Sequence, residues 1–164
     1  MLSVRDWGIY YWDKSGGLNA RAVALSSLAG SQKAPTVAKK VLVSDRDRHV
    51  IAFGCDGEFS IGTQDPLLIR FSDQESLVEW RSLPATTAGS LRIGSGSEII
   101  TAVETKQQVL VFTDVSLHTM QYLGPPFTFG AAEVATGTSI IGPNAAVAVN
   151  DTVYWMGAGD FSVY

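Results

Sequence analysis

The chain carries one cysteine, Cys55, in 164 residues. That excludes an internal disulfide framework and a cysteine-rich zinc site. Histidine is almost as scarce, with His49 and His118 alone, and no HExxH, C-x-x-C or EF-hand pattern is present. No apolar run reaches the roughly 18 residues of a membrane-spanning helix. Asp6 and Trp7 stand where a signal peptide would have its apolar stretch. Charged residues are few, 17% of the chain, and acidic ones exceed basic ones by sixteen to twelve, for a net charge of −4. This balance argues against a free-standing nucleic-acid binder, which needs a basic face. Helix signals are sparse too: only residues 19–25, ahead of Gly30, suggest a short helix.

What the chain does have is apolar material, 46% of its residues, enough for a packed core and too much for intrinsic disorder. Sixteen glycines and six prolines suit a turn-rich all-β protein. Short β-patterned runs occur at 40–44, 49–54, 67–71, 90–93, 98–104, 109–113, 117–122, 145–149 and 152–156. Asp56-Gly57 and Asn150-Asp151 read as tight turns, with Gly124-Pro125-Pro126 and Gly142-Pro143-Asn144 as longer breaks. The pattern is an all-β antiparallel meander.

The meander repeats. A strand, a short polar turn and a strand ending on an aromatic recur from Val41, Ile99 and Ala145, with starts 58 and 46 residues apart. A period of roughly 40–50 residues with up to four strands is the mark of β-propeller blades. The expected organisation is an N-terminal segment, 1–35, with a short strand and the short helix. About three blade-like units follow: 36–90, 91–140 and an incomplete 141–164. Closed propellers begin at about four blades, so the reading is an incomplete propeller. Because the chain also stops within a strand-like run at Phe161-Ser162-Val163-Tyr164, it reads as a fragment of a longer protein or as a chain completed by another subunit.

Charge is uneven along the chain. Residues 1–50 hold eight basic and four acidic side chains, whereas 51–164 hold four and twelve. Lys39, Lys40, Arg46 and Arg48 are the candidate basic patch for an inter-subunit contact, the plainer reading being a solvated loop and strand edge. The remaining ionisable groups form no catalytic set. His49 and His118 fall in β-runs, and Cys55 has no base beside it in sequence, so it reads as a structural thiol. Gly94-Ser95-Gly96-Ser97 is no phosphate loop, since neither a Lys nor a helix follows. Ser72-Asp73 and Thr113-Asp114 each follow a strand ending on Phe, where Asx or ST hydrogen bonding at a strand end is the expected role. Trp7, Trp12 and Trp80 are expected to pack between sheets rather than to form a sugar platform. No active site, cofactor site or metal site emerges.

Several stretches taken together resemble a family of tailed-phage virion proteins. They are Arg48-His49-Val50-Ile51-Ala52-Phe53-Gly54, Asp65-Pro66-Leu67-Leu68-Ile69-Arg70-Phe71-Ser72, and Ala88-Gly89-Ser90-Leu91-Arg92-Ile93-Gly94-Ser95-Gly96-Ser97-Glu98-Ile99. Next come Val109-Leu110-Val111-Phe112-Thr113-Asp114 and Gly124-Pro125-Pro126-Phe127-Thr128-Phe129-Gly130, then Ile141-Gly142-Pro143-Asn144-Ala145 and Tyr154-Trp155-Met156. In order and spacing these are similar to the tail-nozzle and packaged-DNA-stabilising hub proteins of short-tailed phages, whose members are longer. The resemblance implies a propeller-containing subunit of a homo-oligomeric ring around the DNA channel. Its partners would be other tail or portal-adaptor proteins, with transient contact to phage DNA. Its location would be the virion tail or head-tail junction, after assembly in the host cytoplasm. A net negative wall suits DNA ejection, because phosphates do not adhere to it.

The leading expectation is therefore a non-enzymatic virion structural protein. A second reading is a propeller-type binding module that recognises a glycan or protein through blade-end loops. A third, a glycosidase, needs two convergent carboxylates, for which Asp73, Asp114 and Asp160 occupy comparable blade positions.

Overall fold

Backbone turns set the pattern of the chain, which a computed structural model describes over residues 1–164. The fold is all-β: sixteen strands in antiparallel sheets, two single-turn 3-10 helices and no α-helix, with no sheet closed into a barrel. Two compact units are formed, Met1–Ser90 and Leu91–Tyr164.

The first unit opens on the hairpin of β1 (Leu2–Arg5) and β2 (Gly8–Tyr11), with Arg5 opposite Gly8. Between them Asp6 and Trp7 both take positive φ, 48° and 68°. Two consecutive left-handed residues match the twist of the flanking strands, as two-residue hairpin loops require. A 3-10 turn at Lys14–Gly16 leads to β3 (Val23–Ala24), which pairs with β2, and a second 3-10 turn covers Leu25–Ser27. The helix expected at 19–25 is thus a two-residue strand running into a 3-10 turn. Only Leu25 of that segment is buried, so no apolar stripe offsets the cost of nucleating so short a helix.

Then come β4 (Lys40–Val43), β5 (Val50–Phe53), the small hairpin of β6 (Asp56–Gly57) and β7 (Ser60–Gln64), β8 (Leu68–Phe71) and β9 (Gly89–Arg92). The main sheet has the order β4-β5-β8-β9, and β5 is buried along its whole length. Asp56-Gly57 is strand, not turn; the turn falls at residues 58–59. A Cβ on Gly89 would meet the Phe71 ring at 2.9 Å, so glycine is what lets β9 lie against that ring. Ile9, Leu25, Ala38, Val50, Cys55 and Trp80 form the core of this unit.

The second unit holds β10 (Ile99–Glu104), β11 (Val109–Thr113), β12 (Ser116–Gly124) and β13 (Thr128–Thr136), hydrogen-bonded in sequence order. This four-stranded up-and-down meander is the form that a propeller blade takes. A second meander follows, β14 (Ala146–Val149), β15 (Thr152–Met156) and β16 (Phe161–Val163). Asn150 and Asp151, both with positive φ, make the expected tight turn between β14 and β15. Leu110, Phe112, Leu117, Ile140, Val153 and Trp155 build the core of this unit, with the Phe112 and Trp155 rings 5.3 Å apart.

The strand–turn–strand repeat corresponds to three antiparallel pairs: β4 with β5, β10 with β11, and β14 with β15.

Candidate functional site

The four basic residues singled out by sequence do not converge. Lys39 and Lys40 stand at the start of β4, while Arg46 and Arg48 lie in the turn after it, a strand's length of about 10 Å away at ~3.3 Å per residue. Lys39 Nζ sits 4.0 Å from the centre of the Trp7 ring, a cation–π contact. Arg46 Nε lies 3.9 Å from the neighbouring Asp47, and Arg48 forms an ion pair with Glu75. Half of the patch is thereby engaged with local acids.

Arg48 and Glu75 also border a cavity of about 330 Å³ with Val43, Ser44, Asp45, Val50, Ser76 and Leu77. Both residues have positive φ, 55° and 57°. Neither was singled out for this role by pattern, because the contact joins segments 27 residues apart.

The polar residues at the strand ends serve neighbouring backbone. Asp73 Oδ1 accepts from Thr87 N and from Thr87 Oγ1, each at 2.7 Å. Asp114 accepts from Ser97 N at 2.8 Å and from Ser97 Oγ at 2.6 Å. In both places the aspartate lies just past the end of one strand, β8 or β11, and holds a hydroxyl residue two positions before the neighbouring strand of the sheet, β9 or β10. Burial pushes the Asp73 carboxyl up, but its bonds from Thr87 outweigh that and leave it below the usual value. The Ser97 hydroxyl and N–H likewise hold Asp114 low. A general acid of a glycosidase needs the opposite shift.

His49 and His118 are buried. His49 Nε2 lies 3.1 Å from Thr87 Oγ1, and His118 Nε2 lies 2.9 Å from Ser116 Oγ and 3.9 Å from Glu133. Desolvation lowers both imidazoles, opposed at His118 by Glu133. Serine and glutamate approach the same ring nitrogen of His118, whereas in a triad the nucleophile and the orienting acid sit on opposite ring nitrogens. Burial drives the Cys55 thiol up to about 12, which removes the thiolate a nucleophile needs. No group of three or more His, Cys, Asp or Glu is placed to hold a metal ion.

The tryptophans divide. Trp80 is core, its Nε1 donating to the Leu77 carbonyl; Trp12 Nε1 donates to the Ala20 carbonyl; Trp7 lies beneath Lys39.

The feature that sequence patterning underrated is the outer face of β14–β16. Val147, Val149, Tyr154, Met156, Phe161 and Val163 are all exposed, Phe161 to 81% and Tyr154 to 51%. Register places Val147, Tyr154 and Val163 in one cross-strand row and Met156 beside Phe161. In sequence β14 and β15 are near-continuous apolar runs, Ala146–Val149 and Val153–Met156, and such runs do not say which face is covered.

No protein-family model matches this chain, and no curated protein is similar to it in sequence. Fold and site define an all-β chain of antiparallel meander sheets whose ionisable residues mainly secure loops and whose last sheet exposes an apolar face.

Proposed function

We propose that this chain is a non-enzymatic structural subunit of a phage particle, a nozzle- or hub-type component of the tail or head-tail connector that works in a homo-oligomeric ring. The observation that carries the reading is the uncharged apolar face of β14–β16. Six exposed apolar side chains on one sheet face mark a surface that assembly covers. The meander sheets suit a propeller-blade role, and the order of motifs from Arg48 to Met156 supports the virion assignment. Asp73, Asp114 and Cys55, spent on structure or held inert, fit a wall better than a reactive pocket.

Electron microscopy and sedimentation of the purified chain, with mass spectrometry of purified virions, test this. Rings or larger closed assemblies, dispersed by Phe161→Glu with Tyr154→Lys, together with the protein's presence in virions, are expected. Monomers at every concentration and absence from virions overturn it.

A further inference from the structure

Asp73 and Asp114 each use a carboxylate to take a hydroxyl and an N–H from a Thr or Ser of the chain itself. Asp160, at the comparable position of the last sheet, does not. It lies in the β15–β16 turn and lines a cavity of about 280 Å³ with Gly137, Thr138, Ser139, Gly159 and Ser162. Asp160 is exposed, Thr138, Ser139 and Ser162 are half-buried, and none of the four makes a side-chain hydrogen bond to the protein.

Backbone hydrogen bonds fix the segments that border the cavity. Ile141 N donates to the Met156 carbonyl at 3.0 Å, which fixes the 137–141 segment against the end of β15. Gly157 N donates to the Asp160 carbonyl at 2.9 Å, closing the turn. A Cβ on Gly157 would lie 2.4 Å from Asp160 Oδ1 and 3.3 Å from the Ser139 carbonyl oxygen. Glycine there is what allows the carboxylate and that carbonyl to approach the same point.

We propose that this cavity is a saccharide-binding subsite, with Asp160 accepting two neighbouring ligand hydroxyls. A carboxylate has two oxygens for a vicinal diol, and bonds to an ionised acceptor are the stronger kind. The three protein hydroxyls both donate and accept, which matches the dual character of sugar hydroxyls. The volume lies near the lower end of small-molecule sites, roughly 300 Å³, and so suits a single pyranose ring. One carboxylate among neutral oxygens is a poor cage for calcium, which takes about 6–8 oxygen ligands and usually several carboxylates. The ligand hydroxyls would do at Asp160 what Thr87 does at Asp73 and Ser97 at Asp114.

The test is a ¹⁵N-edited NMR titration of the full chain with the methyl glycosides of glucose, galactose, mannose and N-acetylglucosamine. Concentrations up to about 50 mM cover the millimolar affinity of an open, one-ring site. Saturable shifts of the Gly137, Thr138, Ser139, Gly159 and Asp160 amides are expected with at least one sugar. Asp160→Ala should weaken that binding at least ~10-fold, the scale of losing one good charged contact. If Asp160→Ala loses its dispersed spectrum, Ser162→Ala and Thr138→Val carry the same comparison, with an expected loss of several-fold. Absence of saturable shifts with all four sugars overturns the proposal, as does binding that survives these substitutions. Shifts of the same amides by calcium chloride but by no sugar would make this a cation site and would also overturn it.

Discussion

The main-chain N–H of Glu75 donates to the carbonyl of Arg48 at 2.7 Å, and the two side chains form an ion pair beside that bond. Both residues hold positive φ, a conformation that costs a non-glycine residue about 1–2 kcal/mol. The side chains are 66% and 57% exposed, so the ion pair contributes no more than about 1 kcal/mol. The backbone bond and the turn geometry therefore hold the pair in place. Glu75→Gly should leave stability within about 1 kcal/mol of the parent, since relief of strain offsets the lost ion pair and the added chain entropy. Glu75→Val should lower it by about 2 kcal/mol, because a β-branched side chain resists this conformation. Urea unfolding of both variants checks this, and equal losses would show that φ strain does not govern the position.

The strand-end aspartates make stability depend on acid. Asp73 and Asp114 titrate below the ordinary aspartate value of about 3.9 in the folded state. A carboxyl lowered by folding contributes stability that is present above its unfolded value and disappears as pH falls through its folded value. Asp114→Ala should cost about 1–2 kcal/mol at neutral pH, the scale of charged hydrogen bonds to a loop. The gap from the parent should shrink once pH drops below about 4. Urea midpoints for parent and variant at neutral pH and near pH 3 measure it; a pH-independent gap would assign the loss to packing instead.

Cys55 is fully buried, and burial raises its thiol to about 12. Labelling by a thiol reagent at pH 8 should be absent in the folded chain and complete in strong denaturant. Rapid labelling of the native protein would mean that the β5–β8 region opens readily.

The strands were legible wherever two conditions met: a short apolar β-run and a turn that nothing distant had to stabilise. The β14–β15 hairpin is the clearest case, with Asn150-Asp151 supplying the left-handed residues that the turn demands. By contrast β13 carries Gly130, Ala131, Ala132 and Glu133, mostly exposed, and becomes a strand because β12 offers a nine-residue partner. That information belongs to pairing, not to local pattern. The Asp73 and Asp114 turns were readable as hydroxyl-acid pairs, yet their partners, Thr87 and Ser97, lie 14 and 17 residues away. The proposed basic patch failed to converge because β4 separates its halves, a spacing that charge counting ignores.

Thr101 lies in β10, buried, with no hydrogen-bond partner for its hydroxyl. An unsatisfied buried polar group costs about 1–3 kcal/mol. Thr101→Val replaces that hydroxyl with a methyl of nearly the same shape and should stabilise the chain by about 1 kcal/mol. Loss of stability in the thermal or urea transition would mean that a water or a rotated hydroxyl satisfies Thr101 in solution.

Asp56 shows how a residue that looks like turn chemistry becomes the staple of a unit. Its carboxylate is fully buried and accepts from Thr36 N at 2.9 Å, Thr36 Oγ1 at 2.7 Å and Gly62 N at 2.7 Å. These donors come from a loop 20 residues upstream and from β7, six residues downstream. Beside it the buried Arg70 guanidinium donates to the carbonyls of Asp56, Lys33 and Trp80. Removing the carboxylate would strand main-chain donors away from water and leave that guanidinium without its neighbouring charge. Asp56→Ala should therefore cost about 3–5 kcal/mol, the range for breaking a buried charged network. Asp56→Asn should fall between the parent and alanine, since one amide oxygen still accepts while its NH₂ faces donors. Thr36→Val, which leaves both main-chain bonds intact, should cost only about 1 kcal/mol. Equilibrium unfolding of the three variants orders them, and a Thr36→Val loss equal to that of Asp56→Ala would place the staple in the hydroxyl rather than in the carboxylate.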